Sequence, residues 1–261
     1  MKRIKLGIFG PSGRMGQDIL KQYSGFKDFT LACLCEKKGH PSINKTVDNI
    51  EITSNIETLI NSSDVIIDFT SPKAFLNLLE KIKKIDKTTA VVSGTTGYNK
   101  KEEEKFSKIS KNLTILRSFN MSIGVNLLKT LVSISSKNLS EISDIEILEF
   151  HHNKKRDVPS GTAITLFDSV NEGKSPSKKR VFRSQTADKI RSKNEVGFSS
   201  IRGGDVVGEH TVFFFMDGER IELTHKASDR KIFSIGALKA AKWLFKKKPG
   251  LYSMRNLLNF K

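Results

Sequence analysis

The run Val65-Ile66-Ile67-Asp68-Phe69 constrains what this chain can fold into more than any other stretch. With only one polar residue it has no face to offer water, so it reads as a strand covered on both sides, as in a parallel sheet. Short apolar runs of similar character occur at Ile4 to Phe9, Thr30 to Cys35, Ala90 to Ser93 and Leu113 to Leu116. Helical stretches lie between them. One covers Gln17 to Tyr23 and another Lys100 to Ser110, and a third runs from Pro72 to Lys83. Proline suits that third helix's first turn because its missing N–H would have had no partner there. Strands alternating with helices at this spacing predict βαβ units around a parallel sheet.

The pattern changes after about Ser122. Ile123 to Ser135 is an amphipathic helix and Asp144 to Phe150 a strand. Val196 to Arg202, Gly208 to Met216 and Arg220 to Lys226 alternate apolar and polar residues, as antiparallel strands do, with a hairpin turn at Met216-Asp217-Gly218-Glu219. Lys231 to Lys246 is helical again. The fold expected is α/β: a Rossmann-type parallel-sheet domain over residues 1–121 plus 232–261, and a second, α+β domain over 122–231 with a mixed or antiparallel sheet. A polar stretch, residues 171–179, is the only low-complexity segment.

Composition enters as a set of exclusions. With 261 residues, 37% hydrophobic and only 2 cysteines, the chain is large enough for a sizeable core without staples. Cys33 and Cys35 share one face of a strand and read as small buried hydrophobes, not as a disulfide or zinc pair. No apolar run approaches the roughly 20 residues that span a bilayer, and the N-terminal apolar run is too short for a signal peptide. A soluble, cytoplasmic protein with no membrane partner is expected. The formal charge of +17 suggests a nucleic-acid binder only if the cations cluster. They are scattered instead, in runs such as Lys81 to Lys84 and Lys246 to Lys248, so no nucleic-acid partner is expected. The positive field would still draw in small anions.

Two motifs carry chemistry. Gly10-x-x-Gly13-x-x-Gly16 links the first strand to the first helix, where glycines let the backbone approach a pyrophosphate at a helix N-terminus. Ser12 stands where the middle glycine of such fingerprints usually falls. Glu36, twenty residues beyond Gly16, ends the second strand and can accept hydrogen bonds from an adenosine ribose. Lys37 and Lys38 follow it and can accommodate an additional phosphate, so the mixture suggests use of both NADH and NADPH. The second motif is His151-His152-x-x-Lys155 with Ser160-Gly161-Thr162 just after it. A hydroxyl, a bare backbone and helix N–H groups together make a carboxylate cradle. On spacing alone the paired histidines also fit a polar surface loop, and metal binding would require a third ligand, for which Glu149 and Asp157 are the nearest candidates.

The sequence resembles the bacterial dihydrodipicolinate reductases. The resemblance rests on Gly-Pro-Ser-Gly-Arg-Met-Gly (10–16), Asp68-Phe69-Thr70, Gly94-Thr95-Thr96-Gly97 and Asn120-Met121-Ser122-Ile123-Gly124-Val125-Asn126. Further along it rests on Glu149-Phe150-His151-His152-Asn153-Lys154-Lys155, Pro159-Ser160-Gly161-Thr162-Ala163, residues 202–210 and Thr224-His225-Lys226-Ala227. It implies that Gly10, Pro11, Ser12, Gly13, Arg14 and Met15 hold the cofactor pyrophosphate. Glu36 would take the adenosine ribose, and Lys37 matches the family's basic residue for NADP. Gly94, Thr95 and Thr96, with Ser118, Phe119, Asn120 and Met121, would line the nicotinamide side. His151 and Lys155 match the catalytic pair, while His152, Ser160, Gly161 and Thr162 match the binders of the substrate's carboxylates. Lys154 stands where many relatives have His, and Met121 where Phe is common. The implied activity is NAD(P)H-dependent reduction of a cyclic unsaturated dicarboxylate to tetrahydrodipicolinate in lysine and diaminopimelate biosynthesis, by a homotetramer without a metal, with domain closure over the substrate. The alternatives are another two-domain NAD(P)-dependent reductase, such as an aspartate dehydrogenase-like enzyme, or a basic nucleotide-sensing protein.

Overall fold

Five of the six residues in the first strand, β1 (Ile4–Phe9), are buried, so the chain enters its core at once. The computed structural model describes residues 3–85, 88–172, 177–183 and 190–259, and residues 173–176 of the polar stretch lie outside them. After β1 come α1 (Arg14–Gln22), β2 (Phe29–Cys35), β3 (Thr46–Val47), β4 (Ile50–Thr53) and α2 (Ile56–Ser62). Next are β5 (Val65–Asp68), α3 (Pro72–Ile85), β6 (Ala90–Ser93), α4 (Lys100–Ile109) and β7 (Thr114–Arg117). The chain continues through α5 (Ile123–Leu139), β8 (Asp144–His151), α6 (Gly161–Val170), β9 (Lys179–Val181), β10 (Glu195–Arg202), β11 (Gly208–Met216) and β12 (Glu219–Ala227). It closes with α7 (Lys231–Leu244), β13 (Gly250–Tyr252) and α8 (Met254–Leu257). Contacts divide it into two compact units, Met1–Ile123 with Lys231–Lys261, and Gly124–Arg230.

The first unit holds an eight-stranded sheet in the order β13-β7-β6-β5-β1-β2-β4-β3. Its pairs are parallel except β3 with β4. Alternate residues of β5 bury on opposite sides. Val65 and Ile67 join a cluster with Ala237, Leu238 and Ala241 of α7, and Ile66 joins one with Leu59, Phe75 and Phe106. That two-sided burial is what the apolar run at 65–69 demands. The strand order reverses at β1, which lies between β2 and β5, and open parallel sheets bind ligands beyond the carboxyl ends of their strands at such a switch point. Cys33 and Cys35 are buried free thiols, and burial pushes both up, Cys35 to about 12.

Helix α1 begins at Arg14, three residues before the sequence pattern places it, so Arg14 and Met15 belong to its first turn. The reason is close packing. A Cβ on Gly16 would stand 2.2 Å from Gly10 O, and with glycine there the helix sits directly against the turn.

The second unit holds a five-stranded sheet in the order β12-β11-β8-β10-β9. Here one expectation is corrected: β10 pairs with β8 in parallel, not antiparallel, while β11 runs antiparallel to both β8 and β12. Alternation reports which face a side chain takes and carries no information on strand direction. The chain between β8 and β10 includes α6, the long crossover that parallel pairing needs. One face of the sheet packs Ile145, Ile147, Val212 and Phe214 against Leu128 and Val132 of α5 and Ala163 and Leu166 of α6. The opposite face presents Leu148, Phe150, Phe213, Phe215 and Ile201, half-buried or exposed, with the Phe213 and Phe215 rings stacked 5.3 Å apart.

Candidate active site

Register places the first group of candidate residues. Phe9 pairs with Cys35 on one side and Asp68 on the other, Asp68 with Ser93, and Ser93 with Arg117. The residues that follow, Gly10, Glu36, Phe69, Gly94 and Ser118, therefore leave the sheet along one edge, the carboxyl edge that flanks the switch point. Gly10 has φ +82° and its amide donates to Cys35 O at 2.9 Å, a conformation side chains disfavour. Gly94 lies under the Phe69 ring, whose nearest atom is 2.0 Å from where a Cβ would sit.

Around this edge, Pro11 is buried, whereas Gly13 and Arg14 are exposed. Ser12 donates its amide to Glu36 Oε2 at 3.3 Å and shares a 2.6 Å hydroxyl contact with Ser42. Glu36 Oε1 accepts from Lys37 N at 2.9 Å, and the Lys37 and Lys38 side chains are exposed. Thr96 and Phe119 are exposed, and Ser118 and Asn120 partly so. Ser118 Oγ donates to Asn120 O at 2.8 Å, which shapes that loop. Met121 differs from its neighbours: it is buried in the sheet's core, beside Gly236 of α7, so its side chain packs against protein.

Asp68, which the sequence places in a motif without a role, is the buried hub of this edge. Its carboxylate accepts from Thr70 N and Oγ1, from Ser93 Oγ at 2.6 Å and from Thr95 Oγ1 at 2.8 Å. Burial pushes its pKa up despite those four donors. The Thr95 hydroxyl is thereby committed to the protein. Beside it Arg117 makes a bidentate pair with Glu103 at 2.6 and 2.8 Å and lies 3.9 Å over the Tyr98 ring.

The second group gathers at the end of β8. Glu149 and His151 are two apart on a strand and so share a face. That face lies against the N-terminus of α6, where Ser160 caps the helix by accepting from Ala163 N at 3.1 Å. Glu149 is fully buried. Its Oε1 accepts from Ser160 N at 3.1 Å, Ser200 Oγ at 2.7 Å and Arg202 Nη2 at 2.8 Å. Burial raises its pKa, but these donors outweigh burial and hold the carboxyl at about 2. His151 Nδ1 stands 2.8 Å from the other oxygen, Oε2, although neither atom is aligned in a hydrogen bond. His210, on β11, shares a 2.9 Å contact from Nε2 to Ser160 Oγ, and its ring meets that of His151 edge-on at 5.0 Å. Burial and the neighbouring His151 push His210 down to about 3, and burial lowers His151 as well.

Lys155 joins this group through Asp157. Its Nζ donates to both carboxylate oxygens at 2.7 and 2.8 Å, which holds Asp157 below its ordinary range, and Arg202 donates to Asp157 O. His152 is half-buried, and its carbonyl accepts from Lys155 N. Gly161 opens α6 with no atom within 4 Å of the place a Cβ would take, and Thr162 follows it in the first turn. The group therefore offers a cation, two imidazoles and a helix N-terminus with open space beside it, which suits a carboxylate-bearing ligand. Glu149, His151 and His210 also bring three metal-ligand atoms within 4.8 Å of one another. A metal there would have to share Glu149 with Arg202 and compete with Ser160 for His210.

Comparison with known proteins decides among the alternatives. The profile described as "Dihydrodipicolinate reductase, N-terminus" matches residues 4–121, and that described as "Dihydrodipicolinate reductase, C-terminus" matches residues 124–258. The chain belongs to the dihydrodipicolinate reductase family. It is 44% identical over 266 residues to the 4-hydroxy-tetrahydrodipicolinate reductase of Pelagibacter ubique, covering 100% of both chains. Against the enzyme of that name from a Nitratiruptor species it is 41% identical, with 98% of this chain and 99% of that one covered. Among solved structures, the dipicolinate-bound dihydrodipicolinate reductase of Paenisporosarcina sp. TG-14 superposes with a TM-score of 0.79 at 21% identity, covering 97% of this chain and 98% of that one. The aspartate dehydrogenase of Thermotoga maritima reaches 0.51 at 11% identity, covering 94% and 98%, a likeness of fold alone. Within the family frame, Lys154 is an exposed residue of the turn after β8.

Proposed function

We propose that this chain is a 4-hydroxy-tetrahydrodipicolinate reductase that transfers a hydride from NADH or NADPH to a cyclic unsaturated dicarboxylate, giving tetrahydrodipicolinate for lysine and diaminopimelate biosynthesis in the cytoplasm. The observation that carries the reading is that one chain holds both kinds of group: a nucleotide-type switch point in its first unit and, in its second, the cluster built on His151, Ser160 and Lys155. Residues 10–15 wrap the pyrophosphate: the Arg14 and Met15 amides, which open α1, donate to it, while a positive φ at Gly10 and a missing side chain at Gly13 let the main chain come close. Gly94 to Thr96 and Ser118 to Met121 border the nicotinamide, Met121 through its main chain. When bound, the nicotinamide supplies the hydride.

The protein's own residues hold the acceptor and supply the proton. His152, Ser160, Gly161 and Thr162 receive the substrate's carboxylates at the N-terminus of α6. His151 and Lys155 complete the reduction as proton donors, Lys155 exchanging its Asp157 partner for a substrate carboxylate. No metal takes part in this scheme. Proton donation is worth roughly 10²–10⁴-fold in rate. His151→Ala and Lys155→Ala should each lose that much turnover in a steady-state assay on enzymatically generated substrate, with NADH affinity nearly unchanged. Wild-type rates in both variants would refute the assignment.

Both cofactors serve. Glu36 accepts the ribose hydroxyls of NADH and repels the 2′-phosphate of NADPH, while Lys37 and Lys38 offset that repulsion by about 1 kcal/mol each. The two Michaelis constants should lie within about tenfold of each other. Replacing both lysines by Ala should raise the constant for NADPH alone. The apolar outer face of the second sheet supports a homotetramer, since Phe213, Phe215 and Ile201 would be covered there by other copies of the chain.

A further inference from the structure

We infer that Glu149 is a positioning residue for the reduction: its buried carboxylate sets the orientation and protonation of His151 and ties that ring to the carboxylate cradle at Ser160. This rests on the reductase reading. Three donors on Oε1, from Ser160, Ser200 and Arg202, fix the carboxylate in a place with no solvent exposure. The remaining oxygen, Oε2, is buried without a hydrogen bond, and so is Nδ1 of His151, 2.8 Å away. An unpaired buried acceptor on an ionised group is costly. A proton on Nδ1 and a slight turn of the ring satisfy both atoms at once. The ring's other nitrogen, Nε2, is then the one that delivers the proton. Gly208 gives it room, since a Cβ there would come within 3.0 Å of Nε2.

The charges around His151 show why this carboxylate is needed. On its own loop Lys155 works against an imidazolium, as does Arg202, which pairs with His151 across β10. From β11 the His210 ring packs edge-on and is uncharged at neutral pH. Burial also works against the charge. Glu149 is the principal group favouring it, with Asp157 a lesser one. Without Glu149, burial, Lys155 and Arg202 would be opposed by Asp157 alone, and the proton donor would lose its charge at a still lower pH. Because Ser160 N donates to the same carboxylate, donor and cradle are held at a fixed separation.

Glu149→Gln tests this, because an amide keeps the acceptor on the Oε1 side and removes the charge. His151 is followed by NMR in the resting protein as pH is varied, and the pH profile of kcat is measured alongside. The expected result is a His151 midpoint lowered by at least one pH unit, or tenfold in proton affinity. The alkaline fall of kcat should move down with it, while KM for the dicarboxylate changes less than threefold. Glu149→Asp keeps the charge but withdraws it from Nδ1 by one carbon, so it should show a smaller but clear shift in the same direction, and that shift decides the matter if Glu149→Gln does not fold. A folded variant whose His151 midpoint and pH profile both match wild type overturns the inference. If wild type shows no reductase activity the reductase reading fails, whereas the resting-state titration still reports on the Glu149–His151 coupling.

Discussion

At the scale of single residues, the group around Glu149 makes stability depend on pH in a definite direction. His210 is held neutral, down to about 3, whereas in the unfolded chain it titrates near its ordinary 6.5. The unfolded state therefore binds more protons below pH 6.5, and stability falls as pH drops through that window. Glu149 acts in the same direction lower down: its carboxyl is held at about 2 against an ordinary 4.5, so its contribution is present above 4.5 and disappears toward 2. Urea unfolding should show a loss of up to about 2 kcal/mol between pH 6.5 and pH 5, and His210→Asn should flatten it. A midpoint unchanged over that range would contradict the burial assigned to His210. Of this group, the local motifs of the sequence expose Glu149, His151 and Ser160. Arg202, Ser200 and His210 reach Glu149 through strand pairing, and the parallel register of β8 and β10 is invisible to a period-two pattern. Asp68 likewise stands in a recognisable motif, but its donors Ser93 and Thr95 are brought to it by β5–β6 pairing.

At the scale of elements, legibility follows how strongly burial is written into composition. Every strand covered on both faces is readable to within a residue or so, because nothing else accommodates Val-Ile-Ile at 65–67. The two-residue strand β3, the short β4 and the three-residue β9 and β13 carry no such signal and are defined by pairing alone. The pattern misplaces the start of helix α1 because its first turn is made of Arg14, Met15 and Gly16, and glycine argues against helix until its packing against Gly10 is known. Gly16→Ala tests that packing. Its Cβ would meet backbone, which cannot move aside as a side chain can, so about 1–3 kcal/mol of stability should be lost. The distorted turn should also weaken NADH at least tenfold by fluorescence titration, and an Ala variant that binds NADH normally would remove Gly16 from the cradle. Helix α4 offers a milder change, since Asn99 caps it in a reciprocal capping box with Glu102. Asn99→Ala should cost about 1 kcal/mol by thermal unfolding without altering cofactor affinity, and a loss of affinity would show that α4 shapes the site.

At the scale of the whole molecule, the +17 charge is spread over both units and the function reads from neither its sign nor its size. The outer face of the second sheet matters more. Phe215→Asp places a charge where the proposed tetramer buries an aromatic, and sedimentation should then report a smaller species than the wild type gives. An unchanged mass would move the interface elsewhere. The central claim is that the chain moves a hydride from a reduced nicotinamide to a cyclic dicarboxylate. Deuterium transfer tests it most directly. With NADH or NADPH carrying deuterium at the transferable position, the account predicts tetrahydrodipicolinate one mass unit heavier than with unlabelled cofactor, in wild type and not in His151→Ala at equal times. Product without the label, or cofactor oxidation without product, would contradict it.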